Sequence, residues 1–253
     1  MIRHILIYIV IFLGIHNLSY SQNYNTYDEV GIMSGPVFFK SDFGERGNFE
    51  NFYKNNGFSL GVFYYVSAID NYNSLKEHFK LRLEASYMKC DLQHYGIYVD
   101  SDNTSLFANQ LRAMKGIIKA TNIGFQTEYY PFRTDDYNRG VDFSPYISLG
   151  AQLSLYSSKI YSDLGPLGTP ITTPIKYLNG YRNDNNGVVA SLTSSIGTRY
   201  RLSDYNSLVA DFRLQYYFSD WVDGLNPNRQ IYTENKYNDW SVTLNIGYVY
   251  YFN

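Results

Sequence analysis

The sequence predicts an all-β fold, an antiparallel up-and-down transmembrane β-barrel of about eight strands with four long extracellular loops, and three observations carry that expectation. Apolar and polar residues alternate with a period of two in segment after segment of about ten residues, the length a tilted strand needs to cross a bilayer. The connections between those segments alternate between long and short along the chain. Aromatic residues make up 18% of the sequence, with 28 Tyr and 16 Phe against 2 Trp. Tyrosine has an apolar ring and a wet tip, which suits the boundary between hydrocarbon and water.

At the N-terminus, Arg3 and His4 precede an apolar run over residues 5–14, and Ser19 and Ser21 stand where signal peptidase inspects small side chains. This pattern predicts a cleaved signal peptide over residues 1–21 and one mature barrel domain over residues 22–253. The apolar run is too short for a spanning helix, which needs about 20 residues. No later stretch approaches that length, so the mature chain is expected to be either soluble or a barrel.

The first two strands are expected over residues 29–39, with Gly31, Met33, Gly35 and Val37 on one face, and 58–67, with Phe58, Leu60, Val62 and Tyr64. Pro36 weakens the first, because proline cannot donate to a ladder. Residues 79–87 set Phe79, Leu81, Leu83 and Tyr87 against Lys80, Arg82, Glu84 and Ser86. Residues 122–130 set Ile123, Phe125 and Tyr129 against Asn122, Gln126 and Glu128. Residues 144–155 alternate Ile147, Leu149, Leu153 and Leu155 with Ser148, Gln152 and Ser154. Residues 188–202 are noisier, with Leu192, Ile196 and Tyr200 opposite Ser191, Thr193, Arg199 and Arg201. The last two, 208–218 and 241–253, set Leu208, Phe212 and Tyr216 against Asp211 and Arg213, and Leu244, Ile246 and Tyr248 against Thr243 and Asn245.

Long connections are expected over residues 40–56, 89–117, 157–186 and 219–239, and short ones over 68–77, 131–143 and 203–206. Transmembrane barrels have long loops outside, short periplasmic turns and an even strand number. Within the second long loop, residues 105–115 suit a short helix capped by Ser105 and ended by Gly116. The Pro- and Thr-rich stretch 164–175 should be extended and relatively rigid. A soluble β-sandwich also alternates, but the regular loop lengths and the Tyr and Phe at strand ends favour the barrel.

On the barrel reading, Lys80, Arg82, Glu84, Glu128, Arg199, Arg201, Asp211 and Arg213 point inward. Buried charges are tolerable only when paired, so these eight are expected to form an ion-pair network that plugs the lumen. A narrow cationic channel is the alternative, and an eight-stranded barrel leaves little room for one. A formal charge of −2, from 21 basic and 23 acidic residues, gives no field to attract nucleic acid. Cys90 is the only cysteine and cannot form an internal disulfide.

Neither G-x-G-x-x-G nor G-x-x-x-x-G-K-[ST] occurs, and no cofactor is expected. The histidines after residue 21 are His78 and His94. His94, near Cys90 and Asp91, would need Ser86 or Ser101 and an acid to make a nucleophilic site, and no spacing supports that arrangement. Asp220, Asp223, Asn226 and Asn228 are weak candidates for calcium, at spacings unlike an EF-hand. A turn built on Gly224 and Pro227 accounts for the same residues.

The strings G-P-V-F-F-K-S-D-F-G-E-R at 35–46, L-G-P-L-G-T-P at 164–170 and G-T-R-Y-R-L at 197–202 resemble a family of flavobacterial outer-membrane proteins among the small Bacteroidota β-barrels. So do L-Q-Y-Y-F-S-D-W-V-D-G-L-N-P at 214–227 and E-N-K-Y-N-D-W at 234–240. The terminal G-Y-V-Y-Y-F-N looks like the aromatic last strand that barrel assembly machinery reads, with Phe252 displaced one place by Asn253. The resemblance implies an outer-membrane location and a barrel, with lipid as its surroundings and no assigned activity. Accessory parts of a gliding-associated secretion system belong to the wider group.

The leading expectation is therefore a non-enzymatic envelope protein whose outer loops engage a protein partner or surface ligand. A barrel enzyme acting on lipid or peptide and a soluble periplasmic glycan-binding protein are the alternatives.

Overall fold

The computed structural model describes residues 26–44, 47–68, 78–132, 143–235 and 237–252. The expected signal peptide and cleavage site lie outside these residues, as do most of the short connections 68–77 and 131–143.

Eight antiparallel strands close into a barrel, each paired with its neighbours in sequence and the last with the first. They are β1 (Thr26–Lys40), β2 (Asn56–Ala68), β3 (Phe79–Gln93), β4 (Met114–Tyr129), β5 (Phe143–Ser162), β6 (Asp184–Ser203), β7 (Asn206–Tyr217) and β8 (Trp240–Phe252). Closure leaves no edge strand, so every ladder has a partner. Pro36 sits where no residue pair joins β1 to β8, which spares that ladder the missing N–H. Among the described residues no helix is long and apolar enough to cross a membrane.

The side-chain alternation reverses phase partway up the wall. In the lower part of β3, Phe79, Leu81, Leu83 and Tyr87 are exposed on the outside while Lys80, Arg82 and Glu84 are buried inside. Above Tyr87 the inward residues become apolar, namely Met88, Cys90 and Leu92, and the outward ones become Lys89 and Asp91. β4 and β5 do the same: Ile118, Ala120, Tyr156 and Ile160 are buried inside, with Lys119, Ser157 and Lys159 outside. On β3 and β4 the lower zone is greasy outside and polar inside, as hydrocarbon surroundings allow. The upper zone has the ordinary arrangement of a protein in water, with an apolar core and a polar surface.

That reversal explains why the strands run longer than the sequence pattern indicated. β3 continues to Gln93, β4 begins at Met114 and β5 ends at Ser162, all in stretches where the alternation has changed sign. The helix expected over 105–115 is α2 (Leu106–Ala113), capped by the Ser105 hydroxyl accepting from the Ala108 N–H at 3.2 Å. It stops before Gly116 because Met114 already belongs to β4. A second helix, α1 (Phe49–Lys54), lies in the first outer loop.

The face of β1 carrying Gly31, Met33 and Val37 points inward. Both faces of β1 are apolar, and its register with β8 decides which one meets the outside, where Val30 and Ile32 are exposed.

The upper interior is a packed core to which the long loops contribute. Phe43, Leu111, Tyr177, Val222 and Leu225 come from the four loops and join Val37, Phe39, Met88, Ile118 and Tyr217 from the strands. A second apolar cluster, including Met33, Tyr65, Tyr130, Tyr146 and Val249, lines the lower interior.

If the lower belt meets hydrocarbon, Leu153→Arg should cost about 2–4 kcal/mol of folding free energy in lipid vesicles, the usual range for arginine at mid-bilayer. Ser157→Arg, two repeats of the pleat higher on the same outward face of β5, should cost less than about 1 kcal/mol, as near an interface. Denaturant titrations of the two variants measure both, and equal costs would overturn the assigned boundary.

Candidate functional site

Two built regions occupy the interior: a charge network in the lower half and an acidic knot where the outer loops meet. In the first, Lys80, Arg82, Arg199 and Arg213 face Glu29, Glu84, Glu128 and Asp211, a charge-balanced set of buried side chains. Arg82 reaches Glu128 at 2.8 Å, Glu84 at 3.3 Å and Asp211 at 3.4 Å. Arg213 bonds Glu84 at 3.1 Å and Arg199 bonds Glu128 at 3.2 Å. Glu29 pairs with both Lys80 and Arg199.

Tyrosines complete the set: Tyr146 donates to Asp211 at 2.9 Å and Tyr130 to Glu128 at 2.5 Å. The Arg199 guanidinium lies 4.2 Å from the centre of the Tyr65 ring. Because Arg82 on β3 reaches Asp211 on β7, these bonds span the lumen as well as neighbouring strands. Above them a polar layer links Gln215 to Asn122, Ser154 and Ser191. The space between this layer and Met88 is a cavity of about 20 Å³.

The structure brings seven of the eight sequence-predicted charges together. Arg201 is the exception: it sits half-buried at the lower rim and pairs with Asp204 of the β6–β7 turn. It keeps the inward phase of Arg199, but one residue pair lower the wall ends and water competes. Sequence reasoning missed Glu29, although Glu29 shares the parity of Gly31 and Met33 and lies on their inward face.

At the outer end, Asp42, Asp220, Asp223 and Asp239 are buried together. The Asp42 N–H donates to Asp223 at 2.8 Å, and Asp239 accepts from the N–H groups of Val222 and Asp223 at 3.0 and 3.1 Å. The Asn235 amide donates to Asp42 at 2.5 Å, and Arg229 holds Asp220 at 2.8 Å. The knot thus ties the first loop to the fourth. Burial pushes the Asp223 carboxyl up to about 8. Burial, reinforced by neighbouring aspartates, raises Asp42 and Asp239 well above the usual carboxylate range.

The four calcium candidates do not converge. Asp220 and Asp223 belong to the knot, the Asn226 N–H donates to the Gly180 carbonyl at 2.8 Å, and the Asn228 side chain accepts from the Gln230 N–H at 2.9 Å. Among the described residues no group of three or more His, Cys, Asp or Glu side chains is arranged to hold a metal.

The imagined nucleophilic site does not assemble either. His94 is buried between Phe43 and Tyr177 and its Nδ1 accepts from the Gly44 N–H at 2.7 Å. Burial, with Lys176 adding to it, holds the ring at about 3, so it stays neutral at physiological pH. Ser101 bonds Asp100 at 3.3 Å, Ser86 accepts from Asn122 at 3.4 Å, Cys90 is in the upper core, and Asp91 faces outward.

A closed eight-stranded antiparallel barrel with an apolar belt and long loops at one end has the architecture of the small outer-membrane barrel proteins. Among solved structures, the chain is similar to a major outer membrane protein from Thermus thermophilus, with TM-score 0.51 and 16% identity over 90% of this chain and 100% of that one. It is also similar to Neisserial surface protein A, with TM-score 0.46 and 16% identity over 89% and 97%. At these identities the first likeness speaks for the fold alone. No family model and no curated protein matches the chain.

Arg82→Met should lower folding stability by about 3–5 kcal/mol, because it removes one partner of a buried charge set and leaves carboxylates under-compensated. Lys54→Met, which removes only surface contacts, the exposed Glu50 pair on α1 and the ammonium 5.0 Å from the centre of the Tyr95 ring, should leave the unfolding midpoint unchanged. The temperature at which mobility on unboiled gels shifts reads both.

The acidic knot sets a pH dependence with a definite sign. Its carboxyl groups have folded pKa values above their unfolded ones, so the folded state binds more protons and stability falls as pH rises from about 4 to about 8. Protection factors for hydrogen exchange in the first and fourth loops should fall across that window. Asp42→Asn combined with Asp239→Asn should flatten the response, and an unchanged slope in that variant would remove the knot as its source.

Proposed function

We propose that the chain is a non-enzymatic outer-membrane barrel with a closed lumen, exported by the signal peptide over residues 1–21, whose work is done by its outer loops on a protein partner or surface ligand. The observation that carries this reading is the outer platform. All four long loops are packed onto one apolar core, yet they leave large apolar side chains in water at their tips. Ile97, Ile171, Ile175 and Ile231 are between 67% and 79% exposed, and apolar groups held out on a rigid support mark contact surfaces.

The charge-balanced network and the small cavity above it support a lumen that does not conduct. Resemblance to the flavobacterial barrels makes a secretion complex one class of partner. A photo-reactive residue at Ile175 should capture one protein from intact cells, whereas the same residue at Leu153, inside the belt, should capture none. In planar bilayers the purified barrel should show no conductance steps, and regular steps in the wild-type protein would overturn the closed lumen.

A further inference from the structure

A cavity of about 400 Å³ lies at the outer end, between the first and fourth loops. That volume is within the roughly 300–1,000 Å³ of small-molecule sites. Its wall is aromatic. Phe52 of α1 and Trp240, the first residue of β8, stand 5.2 Å apart between ring centres, and Phe49 is 6.0 Å from Phe52. Phe52 also meets Phe38 of β1 at 5.9 Å, so this pair of contacts fastens α1 to the strands. Phe49 and Tyr237 line the same cavity, yet they are 71% and 53% exposed.

The floor is polar and incompletely bonded. Asp42 and Asn235 both line the cavity and are 4% and 6% exposed. The Asn235 amide donates to Oδ1 of Asp42, while Asp42 Oδ2 and Asn235 Oδ1 have no partner among the described residues. Buried polar atoms nearly always have a hydrogen-bond partner, so these two oxygens mark places for the polar groups of a ligand. The two loops are already tied together beneath the cavity by the bond from the Asp42 N–H to Asp223. A site held in place before its ligand arrives loses less affinity to ordering.

The lining also selects the kind of ligand. Aromatic faces take up apolar C–H groups, and a hydroxyl both donates and accepts. A hydroxyl therefore satisfies the Asn235 oxygen as a donor and the Asp42 carboxyl in either protonation state. Charge offers little: among the described lining residues the ionisable acids and bases are Lys40, Asp42, Asp239 and the Tyr237 phenol, and burial favours the neutral form of both carboxyls.

We propose that this cavity binds a neutral saccharide, with a sugar ring against the aromatic wall of Trp240 and Phe49 and its hydroxyls on Asp42 and Asn235. The inference names a surface ligand for the loop platform and rests on that reading.

The test is saturation-transfer NMR of the full-length barrel in a detergent without a sugar headgroup. The probes are neutral di- and trisaccharides of glucose, galactose, mannose and N-acetylglucosamine, with their sulfated counterparts. At least one neutral saccharide should bind saturably, and its sulfated counterpart should bind no more tightly. Trp240→Leu should weaken that binding roughly tenfold, the loss of one aromatic stacking contact, and Trp240→Phe should recover most of it. Phe49→Ser, at a largely exposed position, should weaken it too, whereas Ile175→Ala on the third loop should leave it unchanged. Heat-modifiability shows that each variant is folded. No saturable binding across the panel, or binding unchanged in both Trp240→Leu and Phe49→Ser, would overturn the site, and a clear preference for the sulfated forms would overturn its neutral character. If no saccharide binds while the photo-reactive residue at Ile175 captures a protein, the saccharide site alone falls. If both experiments fail, the loop-platform reading falls with it.

Discussion

A strand that crosses a bilayer turns one face to hydrocarbon, and the period-two geometry then hands every other residue to the interior. In a barrel of eight strands that interior is only wide enough for side chains, so whatever the inward residues carry must be satisfied among themselves. Here they carry four cations and four carboxylates. Each charge faces opposite charges on other strands, and aromatic rings such as Tyr65 and Phe63 lie against the guanidinium planes. A set of this kind contributes little net stability compared with an apolar filling, yet losing one member is costly. Its effect is to hold the eight strands in one register, because a slip of one residue would turn Arg82 and Glu128 toward lipid.

The same constraint explains which parts of the molecule were legible in the sequence. The lower half of β3 alternates without interruption, and Leu81 against Arg82, or Phe212 against Arg213 on β7, is enough to place a strand, face and all. The upper halves obey the opposite rule. Cys90 and Leu92 point inward where the strand below points charges inward, so a search for one repeating phase stops at Tyr87. β1 was hard to orient for a different reason, since Ile32 and Met33 are both apolar and only the ladder with β8 distinguishes them. Glu29 was readable from parity but lay at the end of that ambiguous strand.

The outer loops were less legible, because their order comes from contacts between distant segments. Nothing near Asp42 announces that it meets Asp223 and Asn235, which lie 181 and 193 residues away. Composition suggested a turn around Gly224, and a turn is there, with Gly224 at a φ of 89°. What the local pattern could not convey is that the turn delivers carboxylates into a buried knot. The aspartates are costly to bury as anions, which raises their pKa values, and the bonds from the Asp42 N–H to Asp223 and from Asn235 to Asp42 hold the first loop to the fourth.

These layers together bear on what such a barrel can do. The charge network lies across the lower interior, and the apolar core packs the upper one while serving as the floor for the loops. On the proposed reading of a closed lumen, the activity of such a molecule is expressed on its outside surface, above all at the loop tips with their exposed isoleucines. The phase reversal that lengthens the strands also lifts those tips clear of the apolar belt, because the walls beneath them are built as a protein in water is built, with apolar residues inside and polar ones outside.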